Sequence, residues 1–70
     1  MYIYDGRILH NLKTAKGLAI TESGLVLIYY PDNTRLELGN YKNGHRAEEV
    51  MEEIIKAIEI DRRIFIIPEE

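Results

Sequence analysis

Asn43-Gly44-His45-Arg46-Ala47-Glu48-Glu49-Val50-Met51-Glu52-Glu53-Ile54-Ile55-Lys56-Ala57-Ile58-Glu59, residues 43–59, decide the fold. Ala47, Val50, Met51, Ile54, Ile55 and Ile58 recur at steps of three and four, while Glu48, Glu49, Glu52, Glu53, Lys56 and Glu59 fill the opposite side. That spacing predicts one helix with a single apolar face turned to a core. Asn43 is the expected N-cap, its side-chain oxygen taking a backbone N–H that the first turn leaves without a partner. Gly44 and His45 are poor helix formers, so the first turn is expected to fray. Glu48 and Glu49 near the N-terminus suit the helix dipole, and Lys56 four residues after Glu52 adds a small favourable pair.

Beyond the helix, Ile64 to Ile67 reads as a closing strand stopped by Pro68. Before it, Thr34 to Leu38 alternates cleanly, with Leu36 and Leu38 on one face and Arg35 and Glu37 on the other. Gly39-Asn40 ends that strand or marks a bulge. Leu25 to Tyr30 is the strongest strand and is apolar on both faces: Leu25, Leu27 and Tyr29 point one way, Val26, Ile28 and Tyr30 the other. One short helix shelters only one such face, so a second body is expected against the other. Pro31-Asp32-Asn33 closes the strand as a turn.

Further back, Gly17 to Thr21 reads as a strand and Glu22-Ser23-Gly24 as a tight turn, whereas His10 to Lys16 reads as a loop or one helical turn. Asp5-Gly6 after Met1 to Tyr4 predicts a two-residue hairpin turn with Arg7-Ile8-Leu9 returning. The fold class that follows is α+β. Residues 1–70 form a single small domain with an antiparallel sheet of four to six short strands, one amphipathic helix on a face, and a C-terminal strand.

Composition narrows the function classes. The 70 residues include no cysteine, which excludes disulfides and thiolate metal sites and fits a cytoplasmic setting. No apolar run approaches the ~20 residues that span a bilayer, and no signal peptide is read, so no membrane role is expected. With 46% apolar residues the chain is expected to fold. At this size a homo-oligomer, a dimer first, is a reasonable way to gain core. The net charge of −3 is uneven: residues 1–42 hold five basic and four acidic side chains, residues 43–70 four basic and eight acidic. The acidic helix face of Glu48, Glu49, Glu52 and Glu53 repels phosphate backbones and suits a basic partner surface.

Two stretches resemble a group of small, uncharacterised proteins of Gram-positive bacteria and their phages. They are Leu38-Gly39-Asn40-Tyr41 leading into Arg46-Ala47-Glu48-Glu49-Val50-Met51-Glu52-Glu53-Ile54, and Ile64-Phe65-Ile66-Ile67-Pro68-Glu69. In that group a β-meander ends in a glycine and an aromatic residue before a helix starting Arg/Lys-Ala, and a short strand closes the chain. The chain departs from the group at Asn43-Gly44-His45 and at Ile67. The resemblance implies scaffold roles for Gly39, Ala47 and Phe65, a phage or prophage accessory protein active in the host cytoplasm, and no transferred active site.

Candidate sites are few. His10 and His45 lack the spaced acids or second histidine of a metal site, and both read as surface histidines. Ser23, Thr14 and Thr21 have no local base, so neither catalytic residues nor a cofactor or metal is expected. Lys42, His45 and Arg46 around the start of the helix suggest an anion site for a nucleotide or a nucleic-acid phosphate. Tyr2, Tyr4, Val26, Ile28 and Tyr30 are expected to supply apolar contact with a protein partner, because tyrosine is enriched at interfaces. The chain therefore reads as a non-enzymatic binding protein that occupies a partner's surface. The anionic-ligand reading stands beside it, and single-stranded nucleic acid on a tyrosine platform is less favoured by the overall charge.

Overall fold

The computed structural model describes residues 1–70. Its helix α1, Gly44–Glu59, starts as the sequence requires: Asn43 Oδ1 accepts the Arg46 N–H at 3.0 Å. Its buried stripe is Ala47, Val50, Ile54 and Ala57. Ile55 and Ile58, expected in that face, are about half exposed. With ~100° per residue, positions 51, 55 and 58 form a second stripe beside the first. Alanines at 47 and 57 let the helix sit close, and the bulkier stripe is rotated out.

The helix ends on a Schellman arrangement without glycine. Asp61 takes the left-handed conformation at φ 58°, with Asp61 N–H to Ile58 O at 3.0 Å and Arg62 N–H to Ala57 O at 2.9 Å. Asp61→Gly should stabilise the protein by up to about 1 kcal/mol, since the left-handed penalty outweighs the added chain entropy. Thermal unfolding followed by circular dichroism checks this; a lowered midpoint would show that Asp61 carries no such strain.

Six strands accompany the helix: β1 (Tyr2–Tyr4), β2 (Leu9–Asn11), β3 (Gly17–Ile20), β4 (Leu25–Tyr29), β5 (Arg35–Asn40) and β6 (Ile64–Ile66). They divide into two three-stranded sheets, β2-β1-β6 and β3-β4-β5. The second is an antiparallel meander with β4 at its centre, and the helix packs across β3 and β4. Opposite Val26 and Leu27 the β5 register slips by one residue, so the bulge falls at Leu38, which is buried in the core. In the first sheet β1 pairs antiparallel with β2 and parallel with β6, which the helix carries back beside the N-terminal strand.

The β1–β2 connection is longer than a two-residue turn. Only Gly6 in it has positive φ, and Asp5 closes it by accepting the Arg7 and Ile8 N–H groups on Oδ1 at 2.9 and 2.8 Å. An aspartate that caps its own loop in this way removes the need for positive φ at both turn positions. Between β2 and β3, Leu12–Thr14 make one 3-10 turn.

Both sheets turn their inner faces to one core. Ile3 and Phe65 come from the first sheet, Val26, Ile28 and Leu38 from the second, and Ala47, Val50, Ile54 and Ala57 from the helix, with Tyr41 and Ile67 beside them. Val26 and Ile28 are 0% exposed, so they are core residues and unavailable to a partner, contrary to the expectation from sequence. The outward side of β4 also differs from expectation. Leu27 is buried between its cross-strand neighbours Ala19 and Glu37, and Leu25 and Tyr29 are half-buried. Strand β4 therefore does not by itself require a second body.

Gly24, Gly39 and Gly44 stand where no Cβ fits. A Cβ at Gly39 would lie 2.7 Å from the Tyr41 ring, and one at Gly44 would lie 2.7 Å from the Glu22 carbonyl oxygen. The first helical turn is thus seated directly on the β3–β4 turn. Gly44 gives up helix propensity for that contact.

Candidate functional site

Beside the half-exposed helix stripe of Ile55 and Ile58, an open apolar surface lies on the first sheet. Strand residues alternate between faces, so the inward row of this sheet is His10, Ile3 and Phe65. Its outward rows are Asn11, Tyr2 and Ile64, then Leu9, Tyr4 and Ile66. Five of those six outward positions are apolar, and these five are between 39% and 66% exposed. Tyr2 and Tyr4, singled out from the sequence, occupy the middle strand. Leu9, Ile64 and Ile66 were not foreseen, because only the pairing of β6 with β1 brings residues 64 and 66 beside residues 2 and 4. At the Tyr2 end, Lys13 and Arg63 border a shallow depression with Leu9, Asn11 and Ile64. The face thus has an aromatic and aliphatic centre and a basic margin.

Tyr30 is not part of it. It is half-buried, and its hydroxyl is spent inside the protein on His10 Nδ1 at 2.5 Å. His10 itself is 2% exposed, against the surface position its polar neighbours suggested, and its Nε2 lies 2.9 Å from Asp5 Oδ2. With the imidazole neutral, Nε2–H donates to the carboxylate and Nδ1 accepts the tyrosine proton. Burial pushes the Asp5 carboxyl up, but hydrogen bonds from the Ile8 N–H, from His10 and from the Arg7 N–H outweigh it and hold it below its usual value. Burial, then the Asp5 charge, raises the Tyr30 hydroxyl. The chain of bonds runs from the β1–β2 loop to the end of β4 and fastens the two sheets together. A His between Asp and Tyr at positions 5, 10 and 30 leaves no periodic trace by which sequence could reveal it.

Lys42, His45 and Arg46 do converge. They line a cleft of about 450 Å³ at the start of the helix. Glu69 and Glu70 line it too, and Arg46 is already committed. Its Nη1 lies 3.4 Å from both Glu49 and Glu53, its Nη2 donates to the Glu70 carbonyl at 2.8 Å, and its guanidinium stands 5.6 Å from the Tyr41 ring centre. The Tyr41 hydroxyl donates to the Pro68 carbonyl at 2.6 Å, so the C-terminal segment folds across this corner. Burial raises the Tyr41 hydroxyl, with Arg46 opposing and Glu53 adding to the rise. His45 stays solvent-exposed, 3.7 Å from Glu49.

The acidic helix face is solvated as expected. Glu48, Glu49, Glu52 and Glu53 are exposed, and Glu48 and Glu52 make no ion pair. No helix is long and apolar enough to cross a membrane. Comparison with protein-family models, with curated proteins and with solved structures returned no match.

Proposed function

We propose that this chain is a non-enzymatic, self-associating protein-binding module that acts by covering a surface of a partner protein. The docking surface is the outer face of β2-β1-β6. The observation that carries this reading is the run of Leu9, Tyr2, Tyr4, Ile64 and Ile66, exposed side by side across three paired strands. Contiguous apolar surface of that kind is uncommon on a free monomer, and tyrosines at its centre match the make-up of recognition surfaces. The basic margin of Lys13 and Arg63 suits a partner whose apolar patch ends in acidic groups. The acidic helix steers the encounter from another side. An accessory role in a phage or prophage is compatible with such a module.

The anionic-ligand reading has less support. The cleft around Lys42, His45 and Arg46 already holds the chain's own Glu69 and Glu70, and Arg46 has carboxylate neighbours.

A photo-crosslinker at Leu9 should capture a discrete protein from the native cell extract. Tyr4→Glu should lower that capture at least about tenfold, the loss typical of a central aromatic contact, while the circular dichroism spectrum stays unchanged. Equal capture by both forms would remove the face from the interface. Salt-sensitive binding of oligothymidylate that Tyr4→Glu abolishes would instead assign the tyrosines to single-stranded nucleic acid.

A further inference from the structure

Strand β6 has an unused edge. Tyr2 N–H donates to Arg63 O and Ile67 N–H donates to Tyr4 O, so residues 63, 65 and 67 turn their backbone groups toward β1. The N–H and C=O of Ile64 and Ile66 therefore point away from the sheet, and no loop or side-chain hydrogen bond reaches them. Proteins blunt such edges with charges, proline or bulges. Strand β5, the edge of the other sheet, has Arg35, Glu37 and the bulge at Leu38, and β3 is half-buried throughout. Strand β6 is Ile64-Phe65-Ile66, uncharged, regular, and exposed at both isoleucines.

We infer that a second copy of this chain adds here, pairing β6 antiparallel with its own counterpart about a two-fold axis at Phe65. This deepens the binding reading above and rests on it only for self-association. In that register Ile64 of one protomer faces Ile66 of its partner, and each such pair exchanges both backbone bonds. All the donors and acceptors left free on the two edges are then satisfied, and the two sheets merge into one of six strands. Charge favours self-recognition too. The groove between β6 and the helix has Ala57 and Phe65 among its lining, with Glu53 and Glu59 against Lys56 and Arg62 around them. That balanced set sits on a chain of net charge −3, and a two-fold axis can bring acids of one protomer to bases of the other. The merged outer face presents both apolar patches as one continuous surface.

Sedimentation equilibrium together with amide hydrogen exchange tests this. A mass of twice 8.2 kDa is expected, with the Ile64 and Ile66 amides protected at high concentration and exposed on dilution, while Phe65 and Ile67 stay protected throughout. Ile66→Pro, which removes a donor that the lone chain does not use, should weaken association by about tenfold or more and leave the monomer folded. Tyr4→Glu should remain dimeric. A single-chain mass up to the millimolar range overturns the inference, as does a dimer whose Ile64 and Ile66 amides exchange freely. In either case partner capture that depends on Tyr4 would still stand, so failure of the edge and failure of the docking face are told apart.

Discussion

Gly24→Ala should lower the stability of the protein by about 3 kcal/mol or more, a large share of the total for a domain of this size. Two effects add. Gly24 has φ 109°, a conformation that side chains of ordinary handedness rarely adopt, and an added Cβ would lie 2.4 Å from the Tyr41 carbonyl oxygen and 2.9 Å from that of Asn43. Neither oxygen can retreat easily, because the Tyr41 N–H bonds to Gly24 O at 2.8 Å and the Asn43 carbonyl begins the helix. The control is Gly6→Ala. Gly6 has φ 100°, but an added Cβ there meets nothing within 4 Å. It should cost only the backbone term, on the order of 1 kcal/mol. Urea denaturation of the two variants separates steric contact from dihedral strain. Similar midpoints would mean that the Gly24 turn moves freely away from the helix start.

The second large effect is expected at His10. His10→Ala opens a hole between the sheets and leaves the Asp5 carboxylate and the Tyr30 hydroxyl without their partner, a combination that costs about 2–4 kcal/mol. Tyr30→Phe should cost less, about 1 kcal/mol, because it removes one hydrogen bond to the His10 ring and leaves the Asp5 contact in place. The double variant should fall short of the sum of the two, since both act on one network.

The same network contributes to both pH limits of stability, beside a lowered Asp32 and a raised Tyr41. Asp5 has a lowered folded-state value, so the unfolded chain takes up the proton first as pH falls. Its contribution is fully present above the ordinary carboxylate value of 3.8 and is lost as pH drops through the lower folded value. Tyr30 is raised above 10.0, so its contribution is present below that pH and is lost as pH climbs through the raised value. Denaturation midpoints measured from acid to alkaline pH should show both limbs. His10→Ala should flatten the acid limb in part, because the Arg7 and Ile8 N–H groups still hold Asp5. An unaltered acid limb would show that His10 does not act on this carboxylate.

What the chain determines locally was legible. The helix with its Asn43 cap, the β4 and β5 strands with the Pro31-Asp32-Asn33 turn between them, and the closing strand before Pro68 follow from residues that interact within a few positions of one another. Periodicity and capping are properties of such short separations, and they fix the α+β class. Ala47 and Phe65 are buried in the core, whereas Gly39, which the resemblance put in a turn, lies inside β5 against the Tyr41 ring.

The remainder was decided by contacts between distant residues. Asp5, His10 and Tyr30 meet only because two sheets close on one another, which buries a histidine whose sequence neighbours are polar. Rotation of the helix, set by Ala47 and Ala57 against the sheet, chose which of two apolar stripes would be covered. Above all, the parallel pairing of β6 with β1 set Ile64 and Ile66 beside Tyr2 and Tyr4, which sequence had marked, while the Val26 and Ile28 face of β4 went into the core. A strand's own sequence specifies which residues share a face, but the neighbour that completes the face is chosen by chain closure across more than sixty positions.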